Sequence, residues 1–113
     1  MWDGKTVSVV FPAYNEEPNI EAAVSDFLSV VYHDIPVVDQ ILVINNNSND
    51  RTRELALAAG AEVVDETKQG YGNALQRGLK DAAGELIVLC EPDGTFLASD
   101  IMKLLAYSGD FEM

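Results

Sequence analysis

Cysteine and histidine are nearly absent from this 113-residue chain, which holds one of each, Cys90 and His33. One cysteine excludes an internal disulfide, and with one histidine no Cys/His zinc spacing can be assembled. Cys90 closes the apolar run that begins at Leu86, so a buried strand thiol in a reducing, cytoplasmic setting is expected. His33 follows a helical stretch and is expected in solvent. Basic residues are scarce as well: seven Lys and Arg face nineteen Asp and Glu, a formal net charge of -12. Phosphate backbones are gripped by clustered cations, so this balance argues against a nucleic-acid partner and disfavours an anionic membrane. It leaves room for a multivalent cation, because carboxylates are the natural ligands of Mg²⁺ and Mn²⁺. No apolar run approaches the roughly 20 residues of a membrane-spanning helix. Met1-Trp2-Asp3-Gly4-Lys5 lacks the basic-then-apolar pattern of a signal peptide. At this length, 48% hydrophobic residues build one modest core and not two, so residues 1–113 are expected as a single domain.

What is present is a regular alternation of elements. Thr6 to Phe11 is a β-branched and apolar run that ends at Pro12. Pro18 suits a first helical turn, and Ile20, Ala23, Val24, Phe27, Leu28 and Val31 recur at spacings of three and four. Asp34 to Pro36 breaks that helix. Strands are expected at 40–44, 62–64 and 85–90, with helices to Ala59 (capped by Ser48 or Asn49), over 72–83, and over 101–107 after Ser99 or Asp100. The order βαβαβαβα with nearly continuous apolar strands means a parallel sheet covered on both faces. The fold class expected is α/β, a Rossmann-like, doubly wound, mostly parallel sheet. Ligands of such sheets bind outside the carboxyl ends of the strands.

Three strand ends are polar. They are Pro12-Ala13-Tyr14-Asn15-Glu16-Glu17, Asn45-Asn46-Asn47-Ser48-Asn49-Asp50 and Glu91-Pro92-Asp93-Gly94-Thr95. The last carries two carboxylates one residue apart, and alternate residues of an extended segment point the same way. Both could face one cation, whose shell water and substrate phosphates would complete. Gly70-Tyr71-Gly72, with Lys68 nearby, precedes a helix whose amides could meet an anion. It is not a P-loop, and it does not follow the first strand as a dinucleotide fingerprint would.

Taken together these segments resemble family 2 glycosyltransferases of the GT-A fold, nearest in flavour to polyprenyl-phosphate mannosyl- and glucosyltransferases. Ser8 to Glu17 resembles the family opening, and Ile44 to Asp50 resembles its Val-Asp-Asp/Asn-Gly/Asn-Ser-Thr-Asp motif. Gly70, Gly72, Ala74 and Gly78 match its Gly-x-Gly-x-Ala-x-x-x-Gly run, and Glu91-Pro92-Asp93-Gly94 looks like its Asp-x-Asp-Gly metal motif. The resemblance spans nearly the whole chain. It implies transfer of a sugar from a UDP- or GDP-sugar donor, with Mn²⁺ or Mg²⁺ as cofactor, to a polyprenyl phosphate or glycan acceptor. It implies that Pro12, Ala13, Tyr14 and Glu16 line the nucleotide pocket, that Asn45 reads the base, and that Lys68 and Gly72 lie near the nucleotide. Glu91 would touch the ribose or metal-bound water, and Asp93 would bind the metal. A lipid acceptor would place the full-length protein at the inner membrane face.

Three departures from the family pattern stand out. Asn45 replaces a carboxylate, so the acceptor for a ring N–H loses its charge. Glu91 replaces aspartate and adds a methylene. The chain also stops at Gly109-Asp110-Phe111-Glu112-Met113, before the half that carries the acceptor site and the general base. The expectation is therefore the donor- and metal-binding part of an incomplete GT-A fold, whose uncovered apolar surface favours a homo-oligomer. A catalytically inactive nucleotide-binding or interaction module is the alternative. A sugar-phosphate nucleotidyltransferase would need a Gly-rich basic signature after strand one, and a receiver domain would need acids and a lysine that are missing. Trp2 and Phe96 are expected to pack rather than stack a base.

Overall fold

The computed structural model describes residues 1–93 together with Ala98 and Ile101. Gly94, Phe96, Asp100, the chain's end and all of the last expected helix but Ile101 lie outside the described residues; Ile101 is helical and fully buried. Among residues 1–93 six strands and three helices run in the order β1 (Val7–Ala13), α1 (Ile20–Leu28), β2 (Val31–Tyr32), β3 (Ile35–Pro36), β4 (Gln40–Asn45), α2 (Thr52–Ala59), β5 (Glu62–Asp65), α3 (Tyr71–Asp81) and β6 (Leu86–Leu89). Four strands form one parallel sheet in the order β5-β4-β1-β6, as the apolar runs predict.

Period-two alternation assigns each strand residue to a face. Val7, Val9, Phe11 and Ala13 of β1 join Ile41 and Val43 of β4 in a core with Ile20, Val24 and Phe27 of α1 and Ala56 of α2. The Phe11 and Phe27 rings meet edge-on, with centroids 5.2 Å apart. Val10, Leu42 and Ile44 point the other way and pack with Ala74 of α3. Helices therefore cover both faces, and a fully buried side chain such as Phe11 or Ile44 contributes about 1.5–3 kcal/mol. α3 sits flush on the sheet because of Gly78, where an added Cβ would stand 2.3 Å from Val10 Cγ1.

Several boundaries differ from the sequence reading, each for a local reason. β1 continues through Pro12, which pairs in register with Ile44. Val10 accepts the Cys90 N–H on the β6 side, and β6 ends there, so the N–H that proline lacks leaves no ladder partner waiting. α1 stops at Leu28, short of Val31. Val31 instead belongs to a two-strand hairpin with Tyr32 opposite Ile35, turned by His33 and Asp34 at φ 51° and 64°. Its strands are two residues long and exposed, too short for any periodicity to announce them. His33 is in solvent, edge-on to Tyr32, and Trp2 packs beside the main core with its ring 5.0 Å from Tyr32. α2 begins at Thr52, and Asp50, not Ser48 or Asn49, accepts the Thr52 N–H at 3.0 Å.

The connections set the functional edge. The chain leaves β1 towards β4 and β5, then α3 carries it back past β1 to β6. Strand order thus reverses between β1 and β6, and a crevice forms at such a switch point, at the carboxyl ends of the strands.

Candidate functional site

That crevice is a cleft of about 310 Å³. β1 and its exit supply Pro12, Ala13, Tyr14 and Glu16, and the end of β6 supplies Glu91 and Pro92. Asn46 enters from β4, while Gln69, Tyr71 and Ala74 come from the approach to α3 and its first turn. Five of the residues singled out from sequence thus meet here: Pro12, Ala13, Tyr14, Glu16 and Glu91. Asp93, exposed, follows Glu91 by two residues but is not part of the lining.

Asn45, Lys68 and Gly72 are not brought to the cleft wall, and five residues to which the sequence reading gave no site role are: Asn46, Gln69, Tyr71, Ala74 and Pro92. The exchange of Asn45 for Asn46 follows from strand parity. Asn46 continues the series Leu42, Ile44 on the face where α3 packs, whereas Asn45 continues Ile41, Val43 on the opposite face. Asn45 donates to Asp65 Oδ1 at 3.0 Å and accepts the Ser48 N–H at 3.3 Å. Lys68 is exposed on a loop, its N–H given to Glu66 Oε2 at 3.0 Å. Gly72 is exposed in the first turn of α3, and the Gly70 N–H, a candidate for an anion, is taken by Asn46 Oδ1 at 3.0 Å. Asn46 and Tyr71 could have been found from sequence by carrying the β4 face pattern one step further and by noting an aromatic residue between two glycines.

The β1 exit is fixed by the motif after β4. Asn15 N–H donates to Ser48 Oγ at 2.9 Å, Glu16 N–H to Thr52 Oγ1 at 2.8 Å and Glu17 N–H to Asp50 Oδ2 at 3.1 Å. In return Asn49 N–H donates to Asn15 Oδ1 at 2.8 Å and Arg51 N–H to Glu17 Oε1 at 3.3 Å. Thr52, fully buried, donates its hydroxyl to Asp50 Oδ1. Desolvation works to raise the Asp50 carboxyl, but hydrogen bonds from the Thr52 hydroxyl and from the Thr52 and Glu17 amides outweigh it and hold the group below its ordinary value. A loop that would otherwise wander is thereby held as one piece.

The cleft's chemistry is acidic and aromatic. Among the described residues Glu16 and Glu91 are its charged side chains, and no lysine or arginine lines it. Tyr14 and Tyr71 keep 52% and 56% of their surface exposed, leaving ring faces open to a flat ligand. Tyr71 has its phenol raised above the ordinary value, first by desolvation and then by the charge and hydrogen bonding of Glu91, which joins α3 to the end of β6. Among the described residues no three His, Cys, Asp or Glu side chains converge as a complete metal cage. Two carboxylates that need water and phosphate oxygens to fill a shell are the donor set Mg²⁺ usually finds in proteins. Cys90 takes no part: buried behind the strand, its thiol is pushed up to about 11.

The profile of Glycosyl transferase family 2 matches residues 8–111. The chain is a member of that family. An uncharacterized glycosyltransferase of Mycobacterium tuberculosis is 36% identical over 103 residues, which cover 91% of this chain and 44% of the relative. Among solved structures, glucosyl-3-phosphoglycerate synthase from Mycobacterium tuberculosis in complex with Mn²⁺, UDP and glucosyl-3-phosphoglycerate superposes with a TM-score of 0.66 at 36% identity. That match covers 79% of this chain and 34% of the synthase. A structure described as a mycobacterial protein superposes with a TM-score of 0.77 at 32% identity, over 92% of this chain and 36% of the other. The chain therefore spans less than half the length of these relatives, and its sheet corresponds to part of their fold.

Proposed function

We propose that this chain is the donor-binding part of a metal-dependent glycosyltransferase, taking a nucleotide-diphospho-sugar in the cleft between β1 and β6. The observation that carries the reading is the lining of that cleft, which among the described residues has two open tyrosine rings, two carboxylates and no cation. Tyrosine faces suit a nucleobase, but a diphosphate beside Glu16 and Glu91 would be repelled unless a divalent ion stood between them. Asp93 and Glu91 would hold that ion. Bound there, Mn²⁺ or Mg²⁺ supplies the Lewis-acid neutralisation that lets a nucleoside diphosphate leave. The Mycobacterium tuberculosis synthase, solved with Mn²⁺ and UDP together, supports the same pairing here.

Pro12 and Ala13 form the cleft floor, Tyr14 and Tyr71 flank the base, and Glu16 or Glu91 accepts from the ribose. Asn45, outside the lining and with its Oδ1 taken by the Ser48 N–H, is left out of base recognition in this reading. Lys68 and Gly72 approach the nucleotide from the loop and first turn of α3.

Calorimetric titration with UDP and GDP, each with and without Mn²⁺, tests the reading. Metal-dependent binding of one nucleotide is expected, weakened about tenfold or more in Asp93→Ala, the loss that goes with about 1.4 kcal/mol. No binding of either nucleotide by a chain that circular dichroism shows to be folded would overturn it.

A further inference from the structure

Two consecutive asparagines, Asn46 and Asn47, bind the approach to α3. Asn46, 4% exposed, gives its two amide hydrogens to Glu66 O at 2.8 Å and Lys68 O at 3.0 Å, and its Oδ1 accepts Gly70 N–H. Asn47 stands outside the cleft, exposed, at φ 65°, a left-handed conformation that asparagine tolerates. It gives its two hydrogens to Thr67 O at 3.0 Å and to Gln69 Oε1 at 2.9 Å. Gln69 Nε2 in turn reaches Asn46 Oδ1 at 3.5 Å. Both ends of the Gln69 amide are therefore held, one by each asparagine, and Gln69 lines the cleft next to Tyr71. Asparagine is required for this: an aspartate at 47 has no hydrogen to give and would set a charge against two acceptors.

We propose that Asn47 is a positioning residue for the cleft, fixing Gln69 and the 66–70 loop in the arrangement that receives the nucleotide although Asn47 is not part of the cleft lining. The inference rests on the donor-site reading given above. Without Asn47, Gln69 and the loop would populate other arrangements, and apparent affinity falls with the fraction that remains competent.

The test is nucleotide affinity in Mn²⁺, measured by calorimetry at 25 °C on protein shown folded by circular dichroism, with whichever of UDP or GDP the unmodified chain binds. Asn47→Gly fits the left-handed backbone, adds no charge and deletes both hydrogen bonds. It is expected to weaken binding by about fivefold to tenfold, as loss of two modest hydrogen bonds implies, while Gly70 N–H exchanges faster with deuterated solvent. Because Asn47 acts through Gln69, adding Asn47→Gly to Gln69→Ala should weaken binding little further. A lower melting temperature with unchanged affinity would overturn the proposal by reducing Asn47 to a structural residue, and so would fully additive effects of the two substitutions. Failure of the unmodified chain to bind either nucleotide would remove the donor site itself, a distinct result from binding that Asn47→Gly leaves intact.

Discussion

The two sides of the cleft are built on different terms. On the β1 and β4 side, backbone amides of residues 15–17 and 49, 51 and 52 are each met by a side-chain oxygen, and Asn46 and Asn47 hold the loop beyond. On the β6 side, Glu91 and Asp93 stand exposed at the end of a four-residue strand. Rigidity costs least when it is established before a ligand arrives, so the first side is suited to recognise a fixed shape. Under the proposed reading, carboxylates that meet a cation and a diphosphate would gain from their place at an exposed strand end. The proposed function would divide the labour into recognition on the clasped side and accommodation on the acidic one.

The contrast can be broken most forcibly at Asp50. Asp50→Ala removes the acceptor for two backbone amides and the Thr52 hydroxyl, and is expected to lower stability by about 2–3 kcal/mol in urea melts followed by circular dichroism. A change under about 0.5 kcal/mol, the range of ordinary surface substitutions, would show that the clasp is not what holds the β1 exit.

Acid should loosen the same side by a smaller amount. Folding lowers the Asp50 carboxyl below its ordinary 3.8, so the unfolded chain takes up the proton first as the pH drops. The Asp50 contribution is complete above 3.8 and is lost as the pH falls through the lower folded value. Urea melts between neutral and acidic pH should show a steeper acid loss in the unmodified chain than in Asp50→Asn; equal slopes would assign the acid sensitivity elsewhere.

The smallest effect belongs to the open side. Glu91→Gln should leave stability within about 0.5 kcal/mol, as for other exposed positions. It should also bring the Tyr71 phenol back towards its ordinary 10.0, read from its ring resonances in an NMR titration. A Tyr71 titration that does not move would mean the carboxylate is not its neighbour in solution.

How much of this was legible in the sequence depended on whether a signal was repeated or local. The four strands of the main sheet are announced by apolar runs such as Val7 to Phe11 and Leu86 to Cys90, and their alternation with helical periods leaves few topologies. The cleft's position follows from that topology, which is why Pro12, Tyr14, Glu16 and Glu91 were in reach. Asn46 and Tyr71 needed the β4 face pattern and the Gly-Tyr-Gly run carried one step further, whereas Gln69 was out of reach, because its place depends on side-chain bonds between segments some 20 residues apart, such as Asn47 with Gln69. The exposed hairpin of Val31–Tyr32 and Ile35–Pro36 was hidden for another reason: two residues carry no period, and His33 and Asp34 are not the glycines that usually mark such a turn.

Gly78 closes one face of the sheet against Val10, and its consequence reaches beyond packing. A helix rises about 1.5 Å per residue, so Gly78 lies about 10 Å along α3 from Tyr71, which makes the helix a lever with its fulcrum on β1. A methyl group at 78 would act as a wedge there, and the tilt needed to admit it would be magnified at the far end, where Tyr71 forms part of the cleft's rim. The width of the opening is thus set by an atom that is missing two turns away.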